Sequence, residues 1–195
     1  MEIEPKTTAA IPFTDRLRAE TAQAHQLLEA LPLSRALVGD GLTITQYVNY
    51  LATMRSFVLA TERDLFPRLE KIFPDLDKRK KLHQIDRDLE FLGITPTESD
   101  FAFEPSSTEH AAGMLYVMEG SVLGGRYILN NVQKILKLSS DFGASYFAGY
   151  GNQTGIMWKN FLNAFSDYAD SANQNAIIEG ANQAFIGIRE KFAAQ

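Results

Sequence analysis

His25 and Glu29 stand one helical turn apart, a spacing that puts an imidazole and a carboxylate on one helix face. A metal-bound imidazole commonly gives its second ring N–H to a carboxylate or carbonyl, which fixes the ring plane and raises its basicity. The plainer alternatives for such a pair are an exposed ion pair or a core histidine with its hydrogen bonds satisfied. The sequence has only two other histidines, His83 and His110, and no cysteine. His83 lies among Lys81, Gln84 and Asp86, as an exposed residue would. His110 falls near a helix start. Neither is expected to carry chemistry. The missing thiols exclude a disulfide framework, an iron–sulfur cluster, a thiol nucleophile and a cysteine zinc site. Three scattered histidines supply a four-ligand structural zinc site poorly.

A second unusual spacing lies in Glu119-Gly120-Ser121-Val122-Leu123-Gly124-Gly125-Arg126. It sits inside a long apolar segment of helical period, where each glycine costs about 1 kcal/mol relative to alanine. Three explanations stand side by side. Gly120 and Gly124 share a face and would permit close helix packing. The bare backbone would allow close approach to a flat ligand. Or the segment breaks into two helices. A phosphate loop is excluded, because no strand precedes the motif and no Lys-Ser/Thr ends it. Heme needs a single protein imidazole, since the porphyrin brings four nitrogens. One histidine helix facing one glycine-bearing apolar helix therefore makes a heme sandwich an open reading.

The elements that must position these residues are helical throughout. Thr14 or Asp15 is expected to cap a first helix whose stripe is Leu17, Thr21, Ala24, Leu28 and Leu31, ended by Pro32. A short turn spans Ser34 to Val38 and stops at Gly39. Thr43 and Gln46 have capping-box spacing and open a segment that Pro67 should kink or end. A further helix is expected from Leu76 to Leu92, closed by Gly93, followed by a loop over 94–105. Ser106 and Glu109 form a second candidate capping box before a helix from about His110 to Leu138. A Gly- and aromatic-rich loop covers 141–153. Two last helices fit Thr154 to Ala169 and Gln174 to Ala193. With no alternating strand pattern, the expected architecture is a single all-α domain of about seven helices over 14–193, after a flexible N-terminal segment 1–13.

Composition bounds the function. The chain has 195 residues, 45% hydrophobic and 22% charged, enough to bury a sizeable core. Nineteen basic and 24 acidic residues give a net charge of -5, which argues against a nucleic-acid binder. The run Lys78-Arg79-Lys80-Lys81 goes against this trend and is either a solvated helix face or a docking patch for an acidic partner. No apolar window is long enough for a membrane span, and residues 1–11 lack the apolar core of a signal peptide. A cytoplasmic location is the expectation.

These residues resemble those of a known family. Leu17-Arg18-Ala19-Glu20-Thr21 with His25 and Glu29 looks like the proximal helix of heme oxygenases. Glu119 to Gly125 looks like their distal helix, with wording most similar to the bacterial enzymes found beside phytochrome photoreceptors. The resemblance runs over about residues 14–192. It implies a heme oxygenase fold that takes heme b as both substrate and cofactor and opens it to biliverdin, releasing carbon monoxide and iron. It also implies O2 and electrons from a ferredoxin-like or reductase donor, with a bilin-accepting phytochrome as a further partner. His25 matches the axial iron ligand and Glu29 its acidic neighbour. Gly120, Ser121, Gly124 and Gly125 match the distal turn over the heme. Thr21 belongs to the proximal motif and is assigned with it to the heme-binding set. Arg18 and Lys159 fall at basic positions that pair heme propionates, and Phe185 at an aromatic that walls the pocket.

Two positions depart from the family pattern. Ser121 stands where many members have an aspartate that organises proton-delivering water, and a hydroxyl is no acid at neutral pH. Asn163 stands where an arginine often pairs a propionate. Ser121 keeps a rival open, a heme carrier or sensor of the same fold without turnover. A cysteine hydrolase of a related helical fold is excluded by composition, and no convincing Glu-x-x-His set for a di-iron site occurs.

Overall fold

The computed structural model describes residues 12–194, all-helical in architecture as expected. Most of the segment expected to be flexible, 1–13, lies outside the described residues. Within it, Pro12 is extended and Phe13 is already helical. Helix α1 (Phe13–Glu29) has Pro12 at its N-cap and no side-chain cap, so neither Thr14 nor Asp15 plays that part. Asp15 instead lies in the first turn, where a carboxylate favours the positive end of the helix dipole. Pro32 does not close α1. It opens α2 (Pro32–Val38), where a residue lacking an N–H and pre-set in φ fits the first turn.

Helix α3 (Ile44–Ala60) starts on the expected capping box: Gln46 N–H donates to Thr43 Oγ1 at 3.3 Å, and Thr43 N–H donates to Gln46 Oε1 at 3.0 Å. It runs through a wide π-turn, Thr61–Leu65, into a last helical turn, Phe66–Leu69. Pro67 thus sits in the final turn, which ends two residues beyond it at Leu69. The ring of a proline clashes with the carbonyl four residues back, here Arg63, and the π-turn widens the helix at that residue.

The helix expected over Leu76–Leu92 divides into a 3₁₀ turn (Leu76–Arg79) and α4 (Leu82–Phe91), with Lys80 extended between them. The cause is long-range. Glu62 of the π-turn accepts from the backbone N–H of Lys81 at 2.6 Å and of Leu82 at 2.8 Å, and so caps α4 from outside its own sequence. Gly93 closes α4 with φ +77°.

Helix α5 (Thr108–Leu136) is unbroken for 29 residues, about 43 Å at 1.5 Å per residue. Its N-cap is Ser107 rather than Ser106. His110 N–H donates to Ser107 Oγ, and the Ser106 N–H donates to His110 Nδ1 at 3.0 Å. The buried imidazole takes up the donor that a Ser106 capping box would have used. After the left-handed Lys137 the chain forms a loop with 3₁₀ turns at Tyr146–Ala148 and Gly151–Gln153. Helices α6 (Thr154–Ala169) and α7 (Gln174–Ala193) follow with the expected bounds.

Helix α7 is the hub, packing on α5 along one side and on α1 along another. The α5–α7 crossing is close because Gly113 and Gly180 face it. A Cβ on Gly113 would overlap the Ile177 carbonyl oxygen and lie 2.8 Å from Ala181 N. A Cβ on Gly180 would overlap the His110 carbonyl oxygen. The 141–153 loop is tied to α4 by buried Asp88, which accepts from Ser145 N–H, Ser145 Oγ and Tyr146 N–H, each at 2.8 Å. That tether presses Phe147 against α5.

Candidate functional site

Leu17 and Thr21 turn one face of α1 into the core, and His25, one turn beyond Thr21, continues that stripe to the edge of the α7 contact. The His25 side chain is 53% exposed. Its ring meets Phe185 of α7 edge to face, with centroids 5.4 Å apart and planes at 75°. Buried Phe185 therefore sets the imidazole's tilt. Glu29 Oε1 lies 3.7 Å from His25 Nε2, close enough for electrostatic attraction but beyond hydrogen-bond range. The carboxylate sits at the same nitrogen that would face a ligand, so a supporting role for Glu29 requires the ring to turn or the carboxylate to swing aside. Thr21 is buried and its hydroxyl donates to Leu17 O at 2.8 Å, so it packs α1 rather than presenting a free group.

Helix α5 carries the glycine turn. Because it is continuous, the broken-helix explanation of its glycines falls. The three glycines have different surroundings. A Cβ on Gly125 would come 2.9 Å from the Phe147 carbonyl oxygen, so this glycine permits close packing of the loop. A Cβ on Gly124 would meet nothing within 4 Å, and one on Gly120 only Trp158 Cη2 at 3.7 Å. The Gly120–Gly124 pair thus makes no tight helix contact and presents bare, accessible backbone. Ser121 is exposed on the same turn. Its Oγ donates to Met118 O at 2.7 Å, with the buried Tyr146 hydroxyl beside it.

Arg18 on α1 lies against Tyr116 on α5. Burial raises the Tyr116 pKa, and the guanidinium opposes that rise. Tyr116 packs on Trp158 of α6, with centroids 5.7 Å apart, and Trp158 in turn lies under Gly120. Arg18, Tyr116, Trp158 and Gly120 thereby form one continuous wall, and His25 with Phe185 forms another. Tyr116 and Trp158 were absent from the sequence-derived set, although Tyr116 lies one turn before Gly120 and Trp158 directly precedes Lys159. Lys159 and Asn163 are exposed on α6, and Lys159 pairs with no carboxylate among the described residues.

The run Lys78 to Lys81 is not a solvated helix face. Arg79 is buried, with Nη1 on Glu119 Oε2 at 2.6 Å, Nη2 on Asp75 Oδ2 at 2.7 Å and Nη2 on Met157 O at 3.1 Å. Tyr150 OH also donates to Glu119 Oε1 at 2.9 Å. Burial raises the Glu119 pKa, and Arg79 foremost opposes it. Lys81 is buried as well, and Lys80 pairs with Asp77 at 2.6 Å. An unpaired carboxylate at position 119 would be costly to bury, so the run supplies its counter-charge.

Among the described residues no three His, Asp or Glu side chains converge to hold a metal ion, and no helix is long and apolar enough to cross a membrane. The geometry is that of an all-helical scaffold offering an exposed imidazole at His25 and a stretch of bare helix backbone at Gly120–Gly124. The sequence matches the heme oxygenase family over residues 11–193, and the chain belongs to that family. No curated protein matches it by sequence. Among solved structures it is similar to the heme oxygenase from Neisseria meningitidis in its NO- and CO-bound forms (25% identity, TM-score 0.74, 94% of each chain covered). It is also similar to heme oxygenase from Leptospira interrogans (16%, TM-score 0.78, covering 95% of this chain and 100% of that one). A third is heme oxygenase-1 from the cyanobacterium Synechocystis in complex with heme (18%, TM-score 0.70, covering 94% and 92%).

Proposed function

We propose that the protein cleaves heme oxidatively to biliverdin, releasing carbon monoxide and ferrous iron, with O2 and electrons drawn from a donor protein in the cytoplasm. The observation that carries this reading is the open face of α5 at Gly124, where no atom lies within 4 Å of the position a Cβ would take. A flat macrocycle can approach backbone only where side chains are missing. The donor set fits the group: His25 offers an accessible ring nitrogen, and Arg18 and Lys159 are exposed cations that suit two propionates.

Bound heme supplies both the redox-active iron and the ring that is oxidised. The protein's part is orientation. His25 would hold the iron, its ring plane set by Phe185, and Thr21 locks the preceding α1 turn through its hydrogen bond to Leu17 O. Gly120 and Gly124 would keep the α5 side free of bulky acids or bases, while Gly125 lets the Phe147 loop pack on the same helix. Ser121 offers a hydroxyl that can hold water. An acidic ferredoxin-like or reductase donor docks at the α1 rim beside Arg18, and a phytochrome is the bilin acceptor. Lys78 is exposed and adds to the cationic field at a second face.

One observation favours a carrier or sensor instead: the Ser121 proton is committed to Met118 O, and no carboxylate replaces the family's usual acid. Anaerobic heme titration followed by reductant and O2 separates the two. The enzyme reading expects one-to-one binding, then loss of the Soret band as biliverdin appears, with the isomer identified by chromatography. A Soret band that survives turnover conditions supports the carrier. Absence of heme binding overturns both.

Gly124→Leu supplies a sharper check. The apo-protein should melt at the same temperature or higher, because the new side chain meets no neighbour and gains up to about 1 kcal/mol of helix propensity. Heme affinity or turnover should fall at least tenfold. Intact turnover in Gly124→Leu would refute the close-approach role of this face.

A further inference from the structure

We propose that a cleft on another flank of the molecule binds a small polyanion, one carrying two or more phosphate or carboxylate groups, with Lys81 and Arg87 as its principal contacts. The cleft, of about 490 Å³, opens between α4, the Leu76–Arg79 turn and the loop around Gly149–Gln153. That volume falls in the range of small-molecule sites. Lys78, Lys80, Lys81, His83 and Arg87 line it, and no Asp or Glu does. In a chain of net charge -5, a wall without carboxylates is a local inversion of charge.

Lys81 is the second, independent observation. It is only 5% exposed, yet its Nζ has no hydrogen-bond acceptor or ion-pair partner among the described residues. One side of the ammonium lies over the Tyr150 ring, 3.2 Å from its centre. An ammonium has three donors, and a ring face satisfies one direction at most. The ammonium's remaining donors open into the cleft, where an anionic acceptor can take the place of water. Arg87 is engaged only through Nη2, on Ser140 O at 3.3 Å, so most of its fork is available for a bidentate anion. Lys80 is held by Asp77 at the rim, and Lys78 has no partner among the described residues. In the wall, Gln84 donates to Gly149 O at 3.2 Å, and its buried Oε1 is unpartnered.

The recessed position of Lys81 favours a small molecule over an acidic protein surface, whose carboxylates ride on short stems. The separate cations at Lys81, Arg87 and Lys78 favour more than one anionic group. The cleft shares no residue with the proposed heme-binding set, so the inference stands or falls apart from the proposed heme chemistry.

The ligand chemistry has a pH signature. Burial foremost depresses the Lys81 pKa to about 8, and Arg79 lowers it further, against the raising influence of Glu119 and Glu62. Anion binding needs the protonated form, so affinity must fall as pH rises through about 8. Tyr150 faces Lys81 as well, but its own pKa is pushed far up, mainly by burial.

The test is calorimetric titration of the heme-free protein at low ionic strength with pyrophosphate and, separately, citrate. Saturable binding of either, with a dissociation constant below about 1 mM, is expected, and the stronger arm identifies the phosphate or carboxylate source. Lys81→Met and Arg87→Met should each weaken binding about tenfold, while Lys134→Met, outside the cleft, should not. Arg87 is exposed, so its variant tests the site even if Lys81→Met fails to fold. In a His83→Gln background the affinity should drop between pH 7 and 9, and that drop should vanish when Lys81 is also replaced. The proposal is overturned if neither anion saturates, if Lys134→Met loses as much as Lys81→Met, or if only polyglutamate binds, which would assign the patch to an acidic protein.

Discussion

Gly180→Ala should lose at least about 3 kcal/mol of stability, or fail to accumulate as folded protein. The added methyl would overlap the His110 carbonyl oxygen and sit 2.7 Å from His110 Cδ2. The first of these obstacles is backbone, so no side-chain rotation relieves it. The α5–α7 crossing would have to open, and it is the most extensive interface in the fold. A domain of this size melts roughly 2–4 °C lower per kcal/mol lost, so the apo-protein should melt about 10 °C lower. Gly113→Ala, on the facing helix, should behave alike, because its Cβ would overlap Ile177 O. Gly124→Ala is the control and should be neutral or stabilising. A Gly180→Ala protein that melts within about 2 °C of the parent would refute the crossing as a close backbone contact.

His25→Ala has the largest expected effect on chemistry. The fold should persist, because the side chain is half exposed and its one aromatic contact is an edge-on meeting with Phe185. Heme should still enter, held by apolar contact and by Arg18 and Lys159, but the axial-imidazole signature of its absorption spectrum should disappear. Turnover should drop about a hundredfold or more, on the order of 3 kcal/mol of lost transition-state stabilisation. Added imidazole should restore the spectrum, since the space left is the size of the missing ring. An unchanged spectrum in the mutant removes His25 from the ligand role. Glu29→Gln should change far less, given its 3.7 Å separation and exposure.

What the sequence made legible was what neighbouring residues decide. The Thr43–Gln46 box, the bounds of α6 and α7 and the closure of α4 at Gly93 depend on residues within a turn or two of one another. The start of α4 was not legible, because its cap is Glu62, brought in by a different helix. The N-cap of α5 moved by one residue because a buried imidazole competed for the Ser106 N–H. In the candidate site, His25 and the glycine turn carry their signal in type and spacing. The glycines' separate surroundings do not, since only the approach of Phe147 distinguishes Gly125 from Gly124. The true close-packing pair, Gly113 with Gly180, lies on two helices far apart in sequence, where no local spacing rule reaches. Likewise the basic run looked like a solvated face until its Arg79 met Glu119 across the fold.

The continuity of α5 has a mechanical consequence. The helix is fixed at Gly113, where it abuts α7, and again at Gly125, where the Asp88-tethered loop bears on it. The stretch between these supports carries Gly120 and Gly124 and keeps its helical path without a break. A load placed on that stretch therefore acts on a clamped beam, and close-packed surroundings respond by small rigid displacements rather than by local bending. Any adjustment to an occupant should be transmitted along the rod to both supports, so that the gap above the bare backbone keeps one setting instead of many.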